Sequence, residues 1–251
     1  GVSASSGEAA PSIARIGMLH SPIMGLNDNG KKEEIVSVGA FILTRGEEKV
    51  YSDGITVRIF AQRQQLTRWN SEKNEMEKTV LSNVKSGDWK DSVGGFNLGT
   101  PNRYFTKEEY KALTDAQKDG IKTGGTGYRV NRVTVLYGTA SLNNPVNEKG
   151  EALDYETYRD IAFVMDVKNA ESKSSINRVL AALKRKNMLP IMSTINLAGV
   201  EGSIPTGATF GKIEASMGSP VDIVEGDNEM LKDFVELIEY SNGKILDLHH
   251  E

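Results

Sequence analysis

Cysteine is missing from all 251 residues of the chain. This absence excludes disulfide bonds, thiolate metal sites and cysteine nucleophiles together. Histidine is scarce as well, because His20, His249 and His250 are the only three. A Ser-His-Asp centre therefore has very few ways to be assembled. The pair of histidines beside Glu251 is better explained as a solvated chain end than as a metal site, so we expect no metal and no cofactor.

Long apolar runs are absent too. No stretch approaches the roughly 20 apolar residues of a membrane helix, and the first residues, GVSASSGEAAPS, lack the basic and apolar regions of a signal peptide. We expect residues 1–12 to be a disordered tail, residues 13–243 to form a single domain, and residues 244–251 to be a short tail. No membrane association and a cytoplasmic location are expected.

Charge is unevenly distributed along the chain. The net charge is −4, which does not indicate a nucleic-acid partner by itself. Residues 40–140 contain sixteen Lys or Arg and twelve Asp or Glu, whereas residues 222–251 contain nine acidic residues and two lysines. The chain therefore has a mildly basic middle and an acidic end.

Strand patterns dominate the apolar segments. In ITVRIFAQR, alternation predicts that Ile55, Val57, Ile59 and Ala61 share one dry face. The segment QQLTRWNSEKNEMEKTVLSNV favours a hairpin with a charged tip, with a short helix as the alternative. The strand after residue 128 is predicted to alternate between its two faces: Val133, Val135 and Tyr137 on one, Arg132, Thr134 and Leu136 on the other. AFVMDV, LPIMSTINL and ATFGKIEA read as further strands.

Three helices are predicted between these strands. A capping box at Thr106 and Glu109 begins the first, which is expected to end near Gly120. Ser174 or Ser175 is expected to cap the second, whose apolar residues are Ile176, Val179, Leu180 and Leu183. The third is expected to start at Asp227 and to close at Asn242-Gly243, with the apolar stripe Leu231, Phe234, Val235 and Ile238. Strands and helices do not alternate, which favours a mainly β fold, a barrel or sandwich decorated with helices.

The glycine-rich and acidic motifs do not indicate catalysis. Gly124-Gly125-Thr126-Gly127 lacks the Lys-Ser/Thr ending of a phosphate loop and precedes a strand rather than a helix, so a mobile connector is the better interpretation. Paired carboxylates such as Glu108-Glu109 lie beside lysines, where capping and solvation explain them. We expect no enzymatic activity.

Aromatic residues next to Arg and Lys are the remaining signal. Single-stranded nucleic acid is bound in this way, because bases stack on aromatic rings while cations neutralise phosphates. The rings could instead simply cover the edges of the core. The nucleic-acid-binding candidates are Arg58, Phe60, Arg63, Arg68, Trp69, Trp89, Lys90, Arg103, Tyr104, Phe105, Tyr128, Arg129, Arg132 and Tyr137.

The runs RWNSEKNEMEKTVLSNVKSGDWKDSVGGFNLGTPNRYF and YRVNRVTVLYGTASLNNPVNEKGEAL carry a resemblance to a known family. Over about residues 35–240 the chain resembles single-stranded DNA-binding proteins encoded by tailed bacteriophages. The resemblance implies an OB-like five-stranded barrel with inserted hairpins, long loops and helices. It also implies binding of single-stranded DNA without base preference in DNA replication, recombination and repair, in the host cytoplasm. Replication proteins are candidate partners through the acidic C-terminal region.

Two other functions fit a β-rich chain with long loops. The first is a structural or assembly protein of a virus particle, which would need no nucleic acid. The second is an enzyme acting on nucleic acid with carboxylate-bound magnesium, for which the sequence offers no cluster of Asp and Glu at a convincing spacing.

Overall fold

The computed structural model describes residues 13–70, 73–99, 107–118 and 130–248. The strands within these ranges are β1 (Ala14–Met18), β2 (Ile23–Leu26), β3 (Lys32–Val36), β4 (Phe41–Arg45), β5 (Glu48–Ser52), β6 (Gly54–Asn70), β7 (Glu75–Lys78), β8 (Asn131–Asn143), β9 (Ile161–Val167), β10 (Ser193–Ser203) and β11 (Thr209–Pro220). The helices are α1 (Lys107–Ala112), α2 (Ala170–Arg185) and α3 (Glu225–Asp247). The prediction of a mainly β fold with a few helices is confirmed.

Nine strands form one mixed sheet. Its order is β11-β10-β6-β8-β9-β1-β4-β5, with β7 paired to the end of β6. The β1–β9 pair is parallel, and the other ladders of this sheet are antiparallel. β2 and β3 form a separate ribbon. Among the described strands the hydrogen-bonded path is open, from β11 at one edge to β5 at the other, and a closed barrel is not seen.

A bulge changes the face of the longest strand, β6. Ile55, Val57 and Ile59 are buried in the largest core cluster, as the alternation predicts. The register with β8 shifts between Ile59 and Ala61, and Ala61 belongs to a different cluster on the opposite face. The prediction that Ala61 shares the first dry face is therefore wrong, because one extra residue at a bulge reverses the inward and outward positions that follow it.

The largest cluster lies between the inner face of the curved sheet and helix α2. Ile176, Val179 and Leu183 are buried in it, which confirms three of the predicted apolar positions. The predicted start at Ser174 or Ser175 is wrong. Asn169 is the N-cap, because its side-chain oxygen accepts from the Ser172 backbone N–H at 2.9 Å.

Side chains cover the free edge of β11. The Gly211 N–H donates to His20 Nδ1 at 3.0 Å, and Ile213 N–H donates to Ser172 Oγ at 2.8 Å. Ala215 N–H donates to Ser175 Oγ at 2.8 Å. An edge strand normally exposes such donors as a template for further pairing. Here three alternate residues of β11, Gly211, Ile213 and Ala215, have their outward N–H satisfied, and α2 is joined to the sheet edge.

Ser175 and Ser174 form a matched pair for testing this edge. We expect Ser175→Ala to lower the free energy of unfolding by about 1 kcal/mol, because it leaves the Ala215 N–H without its acceptor. Ser174 is exposed on the same helix, so Ser174→Ala makes the same propensity change without touching β11. Urea unfolding of both variants is the measurement. Equal stability of the two would contradict a role for the Ser175 hydroxyl.

Helix α3 covers the outer face of β6, β8 and β9. Phe234 and Ile238 are buried there against Val133, Val135 and Tyr137, which confirms the predicted facing of this β8 segment. Leu231, predicted in the helix stripe, is 36% exposed.

The predicted ends of this helix are wrong, because it starts at Glu225 and runs through Gly243 to Asp247. Asn242 does not cap the helix, since its side-chain amide accepts from the Leu81 N–H at 2.7 Å and donates to the Leu81 carbonyl at 2.9 Å.

The predicted hairpin is confirmed by the pairing of β6 with β7. The loop that follows is organised around Asp91, which is fully buried. One of its carboxylate oxygens accepts from the N–H groups of Val93 and Gly95, at 3.1 and 2.8 Å, and the other accepts from Leu98 at 2.7 Å. This insertion between β6 and β8 is therefore shaped by a buried carboxylate as far as Gly99.

Candidate nucleic-acid interface

Arg58, the first predicted binding residue, is joined to helix α3. Its guanidinium donates to both carboxylate oxygens of Asp227, each at 3.1 Å, and to the Ile191 carbonyl at 2.8 and 3.1 Å. The Asp227 side chain also accepts from the Val224 N–H at 3.0 Å. The hydrogen bonds from Arg58 hold the pKa of the Asp227 carboxyl below its ordinary value, against the opposing effect of burial. Arg58 fastens the start of α3 to the sheet.

Phe60 and Tyr137 also face helix α3. Their ring centroids lie 5.6 and 6.1 Å from that of Phe234. Burial, with the nearby Asp166 charge, raises the pKa of Tyr137 to about 12, so its phenol is neutral at physiological pH. Arg63, on the same side, donates to the Gln62 carbonyl at 2.9 Å.

Arg68, Trp69 and Lys90 lie on the β6–β7 hairpin and the loop after it. Arg68 donates to Glu77 at 2.9 Å in a mostly buried ion pair, and to the Leu98 carbonyl at 2.7 Å. Trp69 is half-buried opposite Met76. Lys90 is half-buried and pairs with Phe96 in an isolated bridge. These residues hold the hairpin and its loop together.

Trp89 and Arg132 form a third group. Trp89 is 6% exposed, and the Arg132 guanidinium lies 5.4 Å from its ring centroid. Arg132 also donates to the Lys85 carbonyl at 2.5 Å. The buried indole N–H of Trp89 has no hydrogen-bond partner in the described part of the chain.

The described candidates therefore make contacts within the protein in these three groups, and the second and third adjoin, because Trp89 packs with Leu98, whose carbonyl accepts from Arg68. The glycine run at 124–127 and the predicted cap at Thr106 lie outside the described residues. So do the other candidates, which are Arg103, Tyr104, Phe105, Tyr128 and Arg129.

A cleft of about 400 Å³, here called the first cleft, lies between the C-terminal half of α3 and the outer face of β8 and β9. The hairpin and loop form another wall through Lys78 and Leu81. Among the described residues that line it, the cations are Arg15, Lys78 and Lys244 and the one acid is Asp166. Tyr240 provides an aromatic ring that is 55% exposed, with the Lys244 ammonium 4.7 Å from the ring centroid.

A larger cleft of about 680 Å³, the second cleft, lies along β1, β4 and β5. Arg15 and Asp166 line both clefts, so the two meet at these residues. The second cleft adds Lys49 and Lys168, both exposed, and His20. Asp166 is again its one acid.

The clefts have a cationic excess in a chain whose net charge is −4. Within the described ranges, the side chains of Arg15, Lys49, Lys78 and Lys168 form no ion pair. A groove of about 800 Å³ along α2 and β11 provides a contrast. Its two cations, Arg178 and Lys212, are balanced by two acids, and Lys212 pairs with Glu171 at 2.6 Å.

Protein-family models, curated proteins and solved structures give no match to this chain. In the portion that the structure describes, no helix is long and apolar enough to cross a bilayer. The same portion contains no group of three or more His, Asp or Glu side chains placed to hold a metal ion.

Several cleft residues are absent from the sequence candidates, namely Arg15, Lys49, Lys78, Lys168, Tyr240 and Lys244. Arg15 carried a usable signal, because it alternates with the buried Ala14 and Ile16 and so points outward from β1. Tyr240 and Lys244 are one helical turn apart in an acidic segment, so they are not neighbours in the sequence and do not form a basic-aromatic pair there.

Proposed function

We propose that this protein is a non-enzymatic binder of single-stranded DNA, and that β6, β8, β9, β10 and β11 form an OB-type core. The connectivity of these five strands supports the proposal. In the sheet, the first of them, β6, lies between the second, β8, and the fourth, β10. Along the chain, helix α2 lies between the third, β9, and the fourth. The same arrangement of strands is found in OB folds. β1 runs parallel to β9, on the side of β9 that faces away from β8.

The position of the first cleft supports the same function. OB folds bind oligonucleotides on the face of their second and third strands and on the loop between the first and second. The first cleft lies on the outer face of β8 and β9, and its hairpin wall belongs to the insertion between β6 and β8. It is therefore located where such a fold would bind a strand.

The chemistry of this cleft suits an unpaired strand. Arg15, Lys78 and Lys244 can neutralise phosphates, and the exposed ring of Tyr240 can stack on a base. Neither contact reads a base sequence. The single observation that carries the proposal is this group of cations, in excess over acids, around the cleft that lies over the outer face of β8 and β9.

Tyr240→Ala tests the stacking contact. Loss of one stacked base is expected to weaken binding of oligothymidine by roughly 1–3 kcal/mol, measured by fluorescence anisotropy at low salt. Tyr155→Ala is the matched control. Tyr155 is 42% exposed and has Arg159 5.4 Å from its ring centroid, but it lines neither cleft.

The control should bind like the unaltered protein. If Tyr240→Ala and Tyr155→Ala bind oligothymidine equally well, Tyr240 is not a stacking residue. If the unaltered protein does not bind oligothymidine at low salt, the proposed function is wrong.

A further inference from the structure

The second cleft is built mainly by strands outside the five-stranded core. Its floor is formed by outward-facing residues of β1, β4 and β5, including Arg15, Thr44 and Lys49. Lys168, directly after β9, lies on its other side. These N-terminal strands therefore add a cationic surface beside the proposed site, at the edge that an OB-type core would leave after its third strand.

The second cleft continues the first without a break in its lining. Arg15 and Asp166 belong to both. In the described lining of the two clefts, Arg15, Lys49, Lys78, Lys168 and Lys244 stand against the single acid Asp166. A polyanion that occupies the first cleft therefore meets further cations where the second cleft begins, whereas the groove along α2 and β11 is charge-balanced.

We infer that the bound single strand leaves the first cleft past Arg15 and runs through the second cleft, where Lys49 and Lys168 contact its phosphates. The binding site then has two segments, and β1, β4 and β5 lengthen it. This inference rests on the proposed function, because it extends the path of the same ligand. It predicts that strand length decides whether the second segment contributes to affinity.

The test compares short and long oligothymidine with the variant Lys49→Ala/Lys168→Ala. OB folds bind roughly 4–16 nucleotides each, so strands of about 5 and about 20 nucleotides separate one segment from two. We expect the double variant to bind the long strand about tenfold more weakly at low salt, with the salt slope reduced by about 1.4 for two lost phosphate contacts. Its affinity for the short strand should be unchanged.

Arg178→Ala/Lys212→Ala is the matched control, because it removes two positive charges from the balanced groove. This control should bind both lengths like the unaltered protein, and circular dichroism should show that both double variants are folded. If the two double variants bind the long strand equally well, or if Lys49→Ala/Lys168→Ala weakens both lengths equally, the second segment does not exist. If the unaltered protein binds neither length, the proposed function itself has failed.

Discussion

Replacing Phe234 by alanine is expected to lower the free energy of unfolding by about 3–4 kcal/mol, as is usual when a buried aromatic ring is removed. Phe234 is 3% exposed, and its ring lies against those of Phe60 and Tyr137. It is the largest side chain that α3 buries against the sheet. Its loss leaves a cavity that the rigid strands below cannot fill. Denaturant unfolding is the measurement.

Leu231→Ala is the matched control on the same helix. Leu231 is 36% exposed, so its truncation should change stability by no more than about 0.5 kcal/mol. The two variants separate packing of the ring from any general effect on the helix. If Phe234→Ala were no less stable than Leu231→Ala, α3 would not be docked on β8 and β9 as described, and the first cleft would lose one of its walls.

Arg58→Ala is expected to have the second large effect, a loss of about 3 kcal/mol. The side chains of Arg58 and Asp227 are 15% and 9% exposed, and removal of one partner leaves the other charge buried without compensation. Arg159→Ala is the control, because Arg159 pairs with Glu156 on the surface and such pairs contribute little. Equal stability of the two variants would show that the Arg58 pair is solvated in solution.

This ion pair also predicts how stability depends on pH. The hydrogen bonds from Arg58 lower the pKa of Asp227 in the folded protein below the ordinary value of 3.8. The pair therefore contributes its full stabilisation above pH 4 or so, and the contribution is lost as the pH falls through the lowered folded-state pKa. Asp227→Asn should flatten this acid decline in the unfolding free energy. An acid limb identical to that of the unaltered protein would rule out a pKa difference at Asp227.

The sequence allowed prediction of the elements that local patterns specify. The alternation in β8 was enough to place Val135 and Leu136 on opposite faces of the strand, and the apolar spacing in α2 was enough to assign Ile176 to a buried face. The change of face between Ile59 and Ala61 was not predictable, because a bulge depends on the register with β8 rather than on β6 alone. The true end of α3 was missed for a similar reason, since Asn242 is engaged by the backbone of Leu81, which is 161 residues away in the chain.

The candidate site was less accessible to prediction than the fold. An aromatic residue next to an arginine in the sequence gives the same pattern whether its ring is exposed or buried. In the structure, the rings of Phe60 and Trp89 are packed within the protein. The cations of the clefts come from β1, β5, β7, the end of β9 and α3, so no local motif collects them. Their proximity depends on strand order, which arises from long-range pairing.

Salt-dependent binding of single-stranded and duplex DNA tests the central claim most directly. With three to five phosphates contacted, the logarithm of the association constant for oligothymidine should fall with the logarithm of salt concentration with a slope of about −2 to −3.5. Duplex DNA of the same length should bind much more weakly, because its paired bases cannot stack on Tyr240. No binding of the single strand at low salt, or equal binding of both forms, would contradict the account.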